Sequence, residues 1–164
     1  MSTLCLDLGT QTGFAILEDN QTIKSGSLSF RHDRYSGGGM RFLKFREWLV
    51  KINEKRTIDV VYFEEVRRHL GVDAAHVYGG FLATLTSWCE IMGIPYQGIP
   101  VGTIKKHITG KGNASKQDVI EAVCRRGRKP VDDNEADALA ILYYKTEPET
   151  ATTIEKIVAV STDT

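Results

Sequence analysis

This 164-residue sequence has few cysteines, no long apolar run and no excess of either charge. Cys5, Cys89 and Cys124 are odd in number, far apart and set in apolar surroundings, which argues against a disulfide framework and predicts buried, reduced thiols. No cysteine or second histidine pair stands at zinc-finger spacing, so we do not expect a zinc site. The apolar runs fall short of the roughly 20 residues that span a membrane, and the first residues lack the basic and apolar segments of an export signal. The sequence therefore predicts a cytoplasmic protein without a membrane partner.

The net charge of zero hides a segregation of charge along the chain. Residues 24–56 carry nine Lys or Arg against three Asp or Glu, and residues 103–129 carry eight against two, whereas residues 130–164 carry two against eight. This pattern is either ordinary solvated surface or a pair of basic regions that flank an acidic catalytic centre and bind nucleic acid. Composition alone does not separate the two interpretations.

The apolar pattern predicts a domain of the α/β class. Strands are predicted over 3–8, 12–18 and 21–30, then a helix in MRFLKFREWLVKINEK, a buried strand in IDVVYFEE, a helix over 72–92 and a short strand in IPYQGIP. Two later helices have candidate N-caps, Asn113 or Ser115 for the first and Asp132 or Asp133 for the second. Together these elements predict a mixed five-stranded sheet flanked by helices.

The chain is long enough for one domain with a buried core. We assign residues 1–145 to this domain. Residues 146–164 are rich in Thr and Glu, and we expect them to form a tail that is loosely packed or a short terminal element.

Isolated acidic residues interrupt or end the apolar segments. Asp7 interrupts the strand TLCLDLG and Glu64 ends the strand VVYF, so the two side chains converge at one sheet edge if the strands are neighbours. Asp133 and Asp137 stand four residues apart and share a helical face, although helix capping is an alternative role for Asp132 and Asp133. Acidic groups gathered in an interior cost free energy unless a cation binds them. Oxygen ligands suit Mg²⁺ or Mn²⁺, and two such ions about 4 Å apart catalyse phosphodiester hydrolysis.

Four segments together carry a resemblance to a known family: DLGTQTGFAI, VVYFEEV, TIKKHITGKGNASK and DDNEADALAI. In order and spacing they resemble the RuvC-type Holliday-junction resolvases of the ribonuclease H-like superfamily, over the chain up to about Tyr144. The resemblance implies a ribonuclease H-like fold and a crossover junction endodeoxyribonuclease of DNA recombination and repair. Such an enzyme uses two Mg²⁺ ions per active site, accepts Mn²⁺ in their place, and leaves a 5′-phosphate and a 3′-hydroxyl. The compact length and the departures from the bacterial pattern lead us to expect a phage-encoded member acting in the host cytoplasm.

Carried over by position, the resemblance implies that Asp7, Glu64 and Asp137 are catalytic carboxylates that bind the metal ions. Bacterial members have an aspartate three residues before the last of these, where this chain has Asn134. Either Asn134 is a neutral ligand or Asp133 replaces the missing carboxylate, and we expect both to line the site. Glu135 is the remaining candidate for that position.

The resemblance also assigns basic residues. Lys105 and Lys116 fall on the family's two basic positions, where one lysine offsets charge in the transition state and the other holds a backbone phosphate. Without the resemblance both would be read as surface lysines. The full set expected to contact DNA is Arg31, Arg34, Arg41, Arg67, Arg68, Lys105, Lys106, Lys111 and Lys116. Phosphate contacts of this kind favour DNA of any sequence.

The resemblance implies a homodimer paired through the helix over 72–92. The aromatic and apolar residues available on it are Tyr78, Phe81, Leu82, Leu85 and Trp88, although a buried core helix would carry a similar set. A symmetric dimer would place two active sites across a four-way junction.

Three functions compete at this point. The first is a metal-dependent endonuclease that nicks Holliday junctions and other branched DNA such as forks. The second is a catalytically inactive relative that binds branched DNA, which the departure at Asn134 keeps open. The third is a phosphate-binding protein of the actin and sugar-kinase type, which DLGTQTG also resembles, but 164 residues leave no room for the second domain that encloses ATP.

Overall fold

The computed structural model of the chain describes residues 1–69 and 71–148. Within them, five strands and five helices follow one another: β1 Thr3–Asp7, β2 Gln11–Leu17, β3 Ile23–Ser29, α1 Met40–Lys55, β4 Val60–Glu65, α2 Val72–Met92, β5 Tyr96–Pro100, α3 Val101–Thr109, α4 Lys116–Arg125 and α5 Asp133–Thr146. The sheet order is β3-β2-β1-β4-β5. The first three strands form an antiparallel meander, and β4 and β5 run parallel to β1. The predicted mixed five-stranded sheet is confirmed.

Both faces of the sheet are covered by helices. In β1, Leu4 and Leu6 belong to a core packed with α1 and α2, while Cys5 between them belongs to a second core packed with α3, α4 and α5. In β4, Val61 and Phe63 face the first core and Tyr62 packs against the second. The apolar run of β4 therefore reflects a central strand covered on both sides, as predicted.

Local sequence sets several helix ends. Ser115 and Asp118 form a capping box at the start of α4, and Asp132 caps α5 by accepting a hydrogen bond from the Glu135 backbone N–H. Gly93 ends α2 in the left-handed conformation, at φ 66°. Of the two capping residues considered for each later helix, Ser115 and Asp132 take the role.

Two details differ from the sequence-based expectations. Helix α3 was not predicted. Cys124 is exposed, because it lies on the outer side of α4, whereas Cys5 and Cys89 are buried as expected. The expected tail over 146–164 begins at the last residue of α5, and from residue 149 onward it lies outside the described residues.

The strand directions place several connections at one edge of the sheet. Strands β1, β3, β4 and β5 end at this edge, and β2 begins there. The loop over 30–39 follows the end of β3. No helix in the described part of the chain has the length and apolar character needed to cross a bilayer. The edge where β1 and β4 end is where the acidic residues meet.

Candidate active site

Asp7 and Glu64 lie on adjacent parallel strands. Leu6 pairs with Phe63, and the next step of this register places Asp7 opposite Glu64. Side chains alternate along a strand, so Asp7 shares the face of Cys5 and Glu64 shares that of Tyr62. Both carboxylates are therefore directed to the face covered by α5, as the convergence of the two strand ends predicted.

Helix α5 supplies the remaining acidic groups. It packs across β1 and β2, and its first turn lies on Gly13, the residue of β2 that pairs with Asp7. This contact brings Asp137 and Asp133 to the side of the sheet that carries Asp7 and Glu64, because only a glycine lets the helix approach the strand so closely. The importance of Gly13 was not predicted from the sequence, where it reads as one residue of an alternating strand.

The carboxylates perturb one another strongly. The pKa of Asp7 is well above its ordinary value because the group is buried and because Glu64, Asp137 and Asp133 lie near it. Burial, followed by the charges of Glu64 and Asp133, raises the pKa of Asp137 to about 7. Burial also raises the pKa of Glu64, against the opposing charge of nearby lysines. Such a cluster destabilises its own ionised form, which a bound cation would reverse.

Lys116 and Lys105 supply positive charge to this cluster. Lys116, the first residue of α4, forms an ion pair with Asp133, and this contact raises the pKa of the lysine. Lys105 on α3 lies close enough to Glu64 and Asp137 to oppose the rise in their pKa values. The two lysines that the family resemblance singled out thus both face the acidic residues, rather than standing apart as ordinary surface lysines.

The three residues considered for the fourth acidic position have different surroundings. Asp133 is the one whose charge acts on Asp7 and Asp137. Asn134 lies beside Asp132 and helps to lower the pKa of that carboxyl. Glu135 is only 5% exposed, and it accepts hydrogen bonds from Ser25 Oγ and the Val131 backbone N–H, both at 2.7 Å. Glu135 therefore ties α5 to β3, and Asp133 is the group that the structure adds to the carboxylate cluster.

Tyr78 was considered for a dimer interface, but it supports the site. Its hydroxyl donates to the Glu64 carbonyl oxygen at 2.8 Å and accepts from the Val66 backbone N–H at 3.2 Å, so it fixes the main chain where β4 ends. Its ring packs against His69, with 5.0 Å between ring centroids. An open cavity of about 460 Å³ lies beside these residues and reaches Gly9.

The fit of the site to divalent metal ions rests on its donor types. Asp7, Glu64, Asp133 and Asp137 offer carboxylate oxygens, the ligands preferred by Mg²⁺ and Mn²⁺, and their mutual repulsion favours a cation. Among residues 1–69 and 71–148, no group of three or more His, Cys, Asp or Glu side chains is already in a metal-binding arrangement, so the carboxylates would have to move closer together to hold an ion. The pairing of Asp133 with Lys116 is one contact that metal binding would have to break or share.

The other basic residues fall into three groups. Arg31, Arg34 and Arg41 lie in or next to the loop between β3 and α1, at the edge where β1 ends. Arg67 and Arg68 are exposed after β4, with Arg67 paired to Glu65. The exposed lysines near α3 and α4 are Lys106 and Lys111. The loop after β3 and the residues after β4 therefore lie at the edge that carries the carboxylates.

The residues proposed for pairing two copies have other roles. Phe81, Leu85 and Trp88 are buried in the core formed with α1, and Tyr78 and Leu82 pack against that core. The alternative interpretation, a core helix, therefore describes this face of α2, and Phe81, Leu85 and Trp88 are not free for a partner.

The comparisons with known proteins concern the fold. The chain matches no protein-family model and no curated protein sequence. It is similar to the structure of RuvC from Thermus thermophilus in complex with a Holliday junction substrate, with a TM-score of 0.73, 20% identity, and coverage of 88% of this chain and 92% of that one. A second T. thermophilus RuvC structure has a TM-score of 0.68 and 21% identity over the same shares of the two chains. The yeast mitochondrial Holliday junction resolvase Ydc2 has a TM-score of 0.57 and 12% identity, covering 87% of this chain and 76% of its own. The chain thus has the ribonuclease H-like fold of the RuvC-type resolvases.

Proposed function

We propose that the chain is a divalent-metal-dependent, structure-selective endonuclease that nicks Holliday junctions and other branched DNA such as forks. One observation carries the proposal: Asp7, Glu64, Asp133 and Asp137 converge at one sheet edge, where burial and the neighbouring carboxylates raise the pKa of Asp7 and Asp137. The chain also shares its fold with T. thermophilus RuvC, whose structure is in complex with a Holliday junction substrate. The products are a 5′-phosphate and a 3′-hydroxyl.

Asp7, Glu64, Asp133 and Asp137 would hold the metal ions, with Asn134 as a neutral neighbour at the start of α5. When bound, two Mg²⁺ ions, or Mn²⁺ in their place, would supply activation of the attacking water and stabilisation of the leaving oxygen. The raised pKa values mean that, without metal, part of this cluster holds protons near neutral pH. The carboxylates would therefore release protons as the ions bind.

The lysines act on the substrate phosphate. Lys105 lies on the side of Glu64 and Asp137, where its charge would offset the charge that builds on the phosphate during hydrolysis. Lys116 begins α4, so the positive end of the helix dipole adds to the positive potential that its ammonium group offers to a phosphate. If Asp133 turned toward bound metal ions, its ion pair with Lys116 would break and the lysine would be free to hold a DNA phosphate.

The surrounding arginines and lysines would position the DNA without reading its sequence. Arg31, Arg34 and Arg41 follow β3 or begin α1, Arg67 and Arg68 follow β4, and Lys106 and Lys111 lie in and just after α3. These contacts suit the phosphates of several arms of a branched substrate. We further propose that two copies act together as a homodimer in the cytoplasm, and that the protein is phage-encoded.

The test is cleavage of a labelled four-way junction, beside a linear duplex of the same sequence and a three-way fork, with and without Mg²⁺. We expect Mg²⁺-dependent nicks in the branched DNA and none in the duplex. Asp7→Asn is expected to abolish cleavage and retain junction binding. The matched control is Asp19→Asn, since Asp19 is exposed after β2 at the opposite end of the sheet.

The outcomes separate the candidate functions. Tight junction binding by the wild type without cleavage in Mg²⁺ or Mn²⁺ would favour the inactive DNA-binding relative. Equal cleavage of linear duplex would contradict selectivity for branched structure. Cleavage that survives in Asp7→Asn would contradict the assignment of the site.

A further inference from the structure

Tyr35 is an aromatic side chain left open to solvent. Its exposed fraction is 84%, whereas Phe30, a few residues earlier, is buried. It lies in the segment RHDRYSGGG between β3 and α1, among the basic residues Arg31 and Arg34. An aromatic ring interleaved with cationic side chains is typical of surfaces that bind unpaired nucleic acid bases.

The loop holds this ring in a defined place. The Tyr35 backbone N–H donates to Asp33 Oδ1 at 2.8 Å, and the Ser36 backbone N–H donates to the Asp33 carbonyl oxygen at 3.3 Å. Arg34 donates from Nη2 to the Tyr35 hydroxyl at 2.6 Å, and its guanidinium carbon lies 4.8 Å from the ring centroid. The ring therefore has an arginine against it and a turn beneath it, while most of its surface stays uncovered.

The loop is joined to the edge of the sheet where the carboxylates lie. The Phe30 backbone N–H donates to the Thr10 carbonyl oxygen at 2.7 Å, and Arg41 donates from Nη1 to Thr10 Oγ1 at 3.3 Å. Thr10 follows Asp7 by three residues, in the connection between β1 and β2. A DNA strand that reaches Asp7 would thus pass next to the base of this loop.

We propose that Tyr35, held by Arg34, stacks on a base whose face is exposed at the branch point of the DNA substrate. This inference rests on the proposed function, since it concerns the same substrate. Within a duplex arm, neighbouring base pairs cover both faces of every base, whereas a branch point leaves base faces uncovered. Stacking therefore distinguishes branched from linear DNA, which phosphate contacts alone do not. Arg34 would serve at once as a partner of the ring and as a contact for the adjoining phosphate.

The experiment measures binding in a chelator, so that cleavage plays no part. One four-way junction carries the fluorescent base 2-aminopurine at the branch point, a second carries it in the middle of an arm, and a linear duplex is the third ligand. The variants are Tyr35→Ala, which removes the ring, and Tyr35→Phe, which keeps it. Tyr96→Ala is the matched control, because Tyr96 is also exposed, at 37%, but begins β5 at the opposite end of the sheet. Circular dichroism checks that each variant is folded.

We expect Tyr35→Ala to weaken junction binding about tenfold, the loss typical of one stacked base, and to leave duplex binding within about twofold of the wild type. The wild type and Tyr35→Phe would change 2-aminopurine fluorescence at the branch point but not in the arm, and Tyr35→Ala would lose that change. Junction binding and branch-point fluorescence equal to those of the wild type would overturn the inference. An equal loss on junction and duplex would also overturn it.

The failure of this inference is distinguishable from that of the proposed function. If the wild type cuts branched DNA in Mg²⁺ while Tyr35→Ala binds and quenches like the wild type, only the stacking role fails. If the branch-point signal depends on Tyr35 but no metal supports cleavage, the stacking role stands and the nuclease assignment fails.

Discussion

Gly13 of β2 and Asn134 of α5 are in main-chain contact, and a Cβ atom on Gly13 would stand 1.8 Å from the Asn134 carbonyl oxygen. No two non-bonded heavy atoms approach so closely, and the obstacle is a backbone atom, which cannot rotate away as a side chain could. The packing of α5 on the sheet, and with it the position of Asp137, depends on the missing side chain.

Gly13→Ala is therefore expected to displace α5 or to prevent folding. We expect a loss of about 1–3 kcal/mol in the free energy of unfolding, or more, as for other overpacked positions. Denaturant unfolding measures the loss, and any folded fraction should also show reduced junction cleavage. Gly37→Ala is the control, because a Cβ at Gly37 meets nothing within 4 Å. Wild-type stability of Gly13→Ala would show that α5 does not need this close approach.

Asp137→Asn is expected to remove cleavage while increasing the stability of the metal-free protein at pH 8. The pKa of Asp137 is raised to about 7, above that of the unfolded chain, so folding favours the protonated form. Its contribution is favourable at low pH and is lost as the pH rises through about 7. Between the ordinary aspartate pKa of 3.8 and pH 7, we expect the melting temperature of the wild type in chelator to fall more steeply than that of Asp137→Asn. A difference of roughly 2–4 °C is expected for each kcal/mol of repulsion relieved.

The control for this prediction is Glu54→Gln on the exposed side of α1, which leaves the cluster intact and should follow the wild-type pH profile. A variant at Asp137 that is less stable than the wild type at pH 8 would contradict the view that the cluster is strained without a cation. Added Mg²⁺ should raise the melting temperature of the wild type more than that of the variant.

Lys116→Met tests whether the lysine acts on the phosphate. We expect a fall of roughly 100-fold in the single-turnover rate of junction cleavage, the size found when one charge-stabilising group is removed from an active site. Junction affinity should change far less, because many other basic residues are proposed to contact the DNA. Lys111→Met is the matched control, since Lys111 is exposed just before α4. An equal loss of cleavage rate in the two variants would contradict a catalytic role for Lys116 and leave it as one phosphate contact among several.

Glu147→Gln is expected to loosen the end of α5. Arg126 donates to the Glu147 carboxylate from Nε at 2.6 Å and from Nη2 at 3.1 Å, and His107 Nε2 lies 3.0 Å from the same carboxylate. The hydrogen bond from Arg126 and then that of His107 lower the pKa of Glu147, so its stabilising effect is present above the ordinary carboxyl pKa. It is lost as the pH falls through the lowered value.

We therefore expect Glu147→Gln to lower the free energy of unfolding by about 1–2 kcal/mol at pH 7, with the difference disappearing in strong acid. Thermal unfolding at a series of pH values measures it. Glu54→Gln, on the exposed side of α1, provides the control. A difference between Glu147→Gln and the wild type that stays constant across the pH range would contradict the ionic origin of the contact.

Local pattern predicted some elements well. Helices α1 and α2 occupy the segments that the periodicity indicated, because each is long and has a continuous apolar side, and Gly93 marks where α2 ends. The apolar side of α1 is formed by Phe45, Leu49 and Ile52, whereas the apolar side chain of Leu43 is exposed. Helix α3 escaped prediction because its buried side consists of only Ile104 and Ile108.

The carboxylates were predictable because strand ends and helical spacing are local properties, and Asp7, Glu64 and Asp137 stand at such positions. The parts that escaped depend on how α5 meets the sheet. In the sequence Glu135 resembles an acidic residue on a helix surface. Its hydrogen bond from Ser25, 110 residues earlier, is visible only in the structure. Tyr78 similarly reads as an apolar-face aromatic until its hydroxyl is placed against the end of β4. Contacts between distant segments leave no periodic trace in the sequence.

The shared register of β1 and β4 also limits where the chain can change length. Inserting one residue before Asp7 in β1, or before Glu64 in β4, would turn that carboxylate to the α1 and α2 side, because side chains alternate with every residue. The glycines at 37–39 face no such restriction, since a Cβ at any of them would meet nothing within 4 Å. Insertions and deletions are thus tolerable in the loop that carries Tyr35 and forbidden in the two strands behind it, so the loop can diversify while the carboxylate cluster stays fixed.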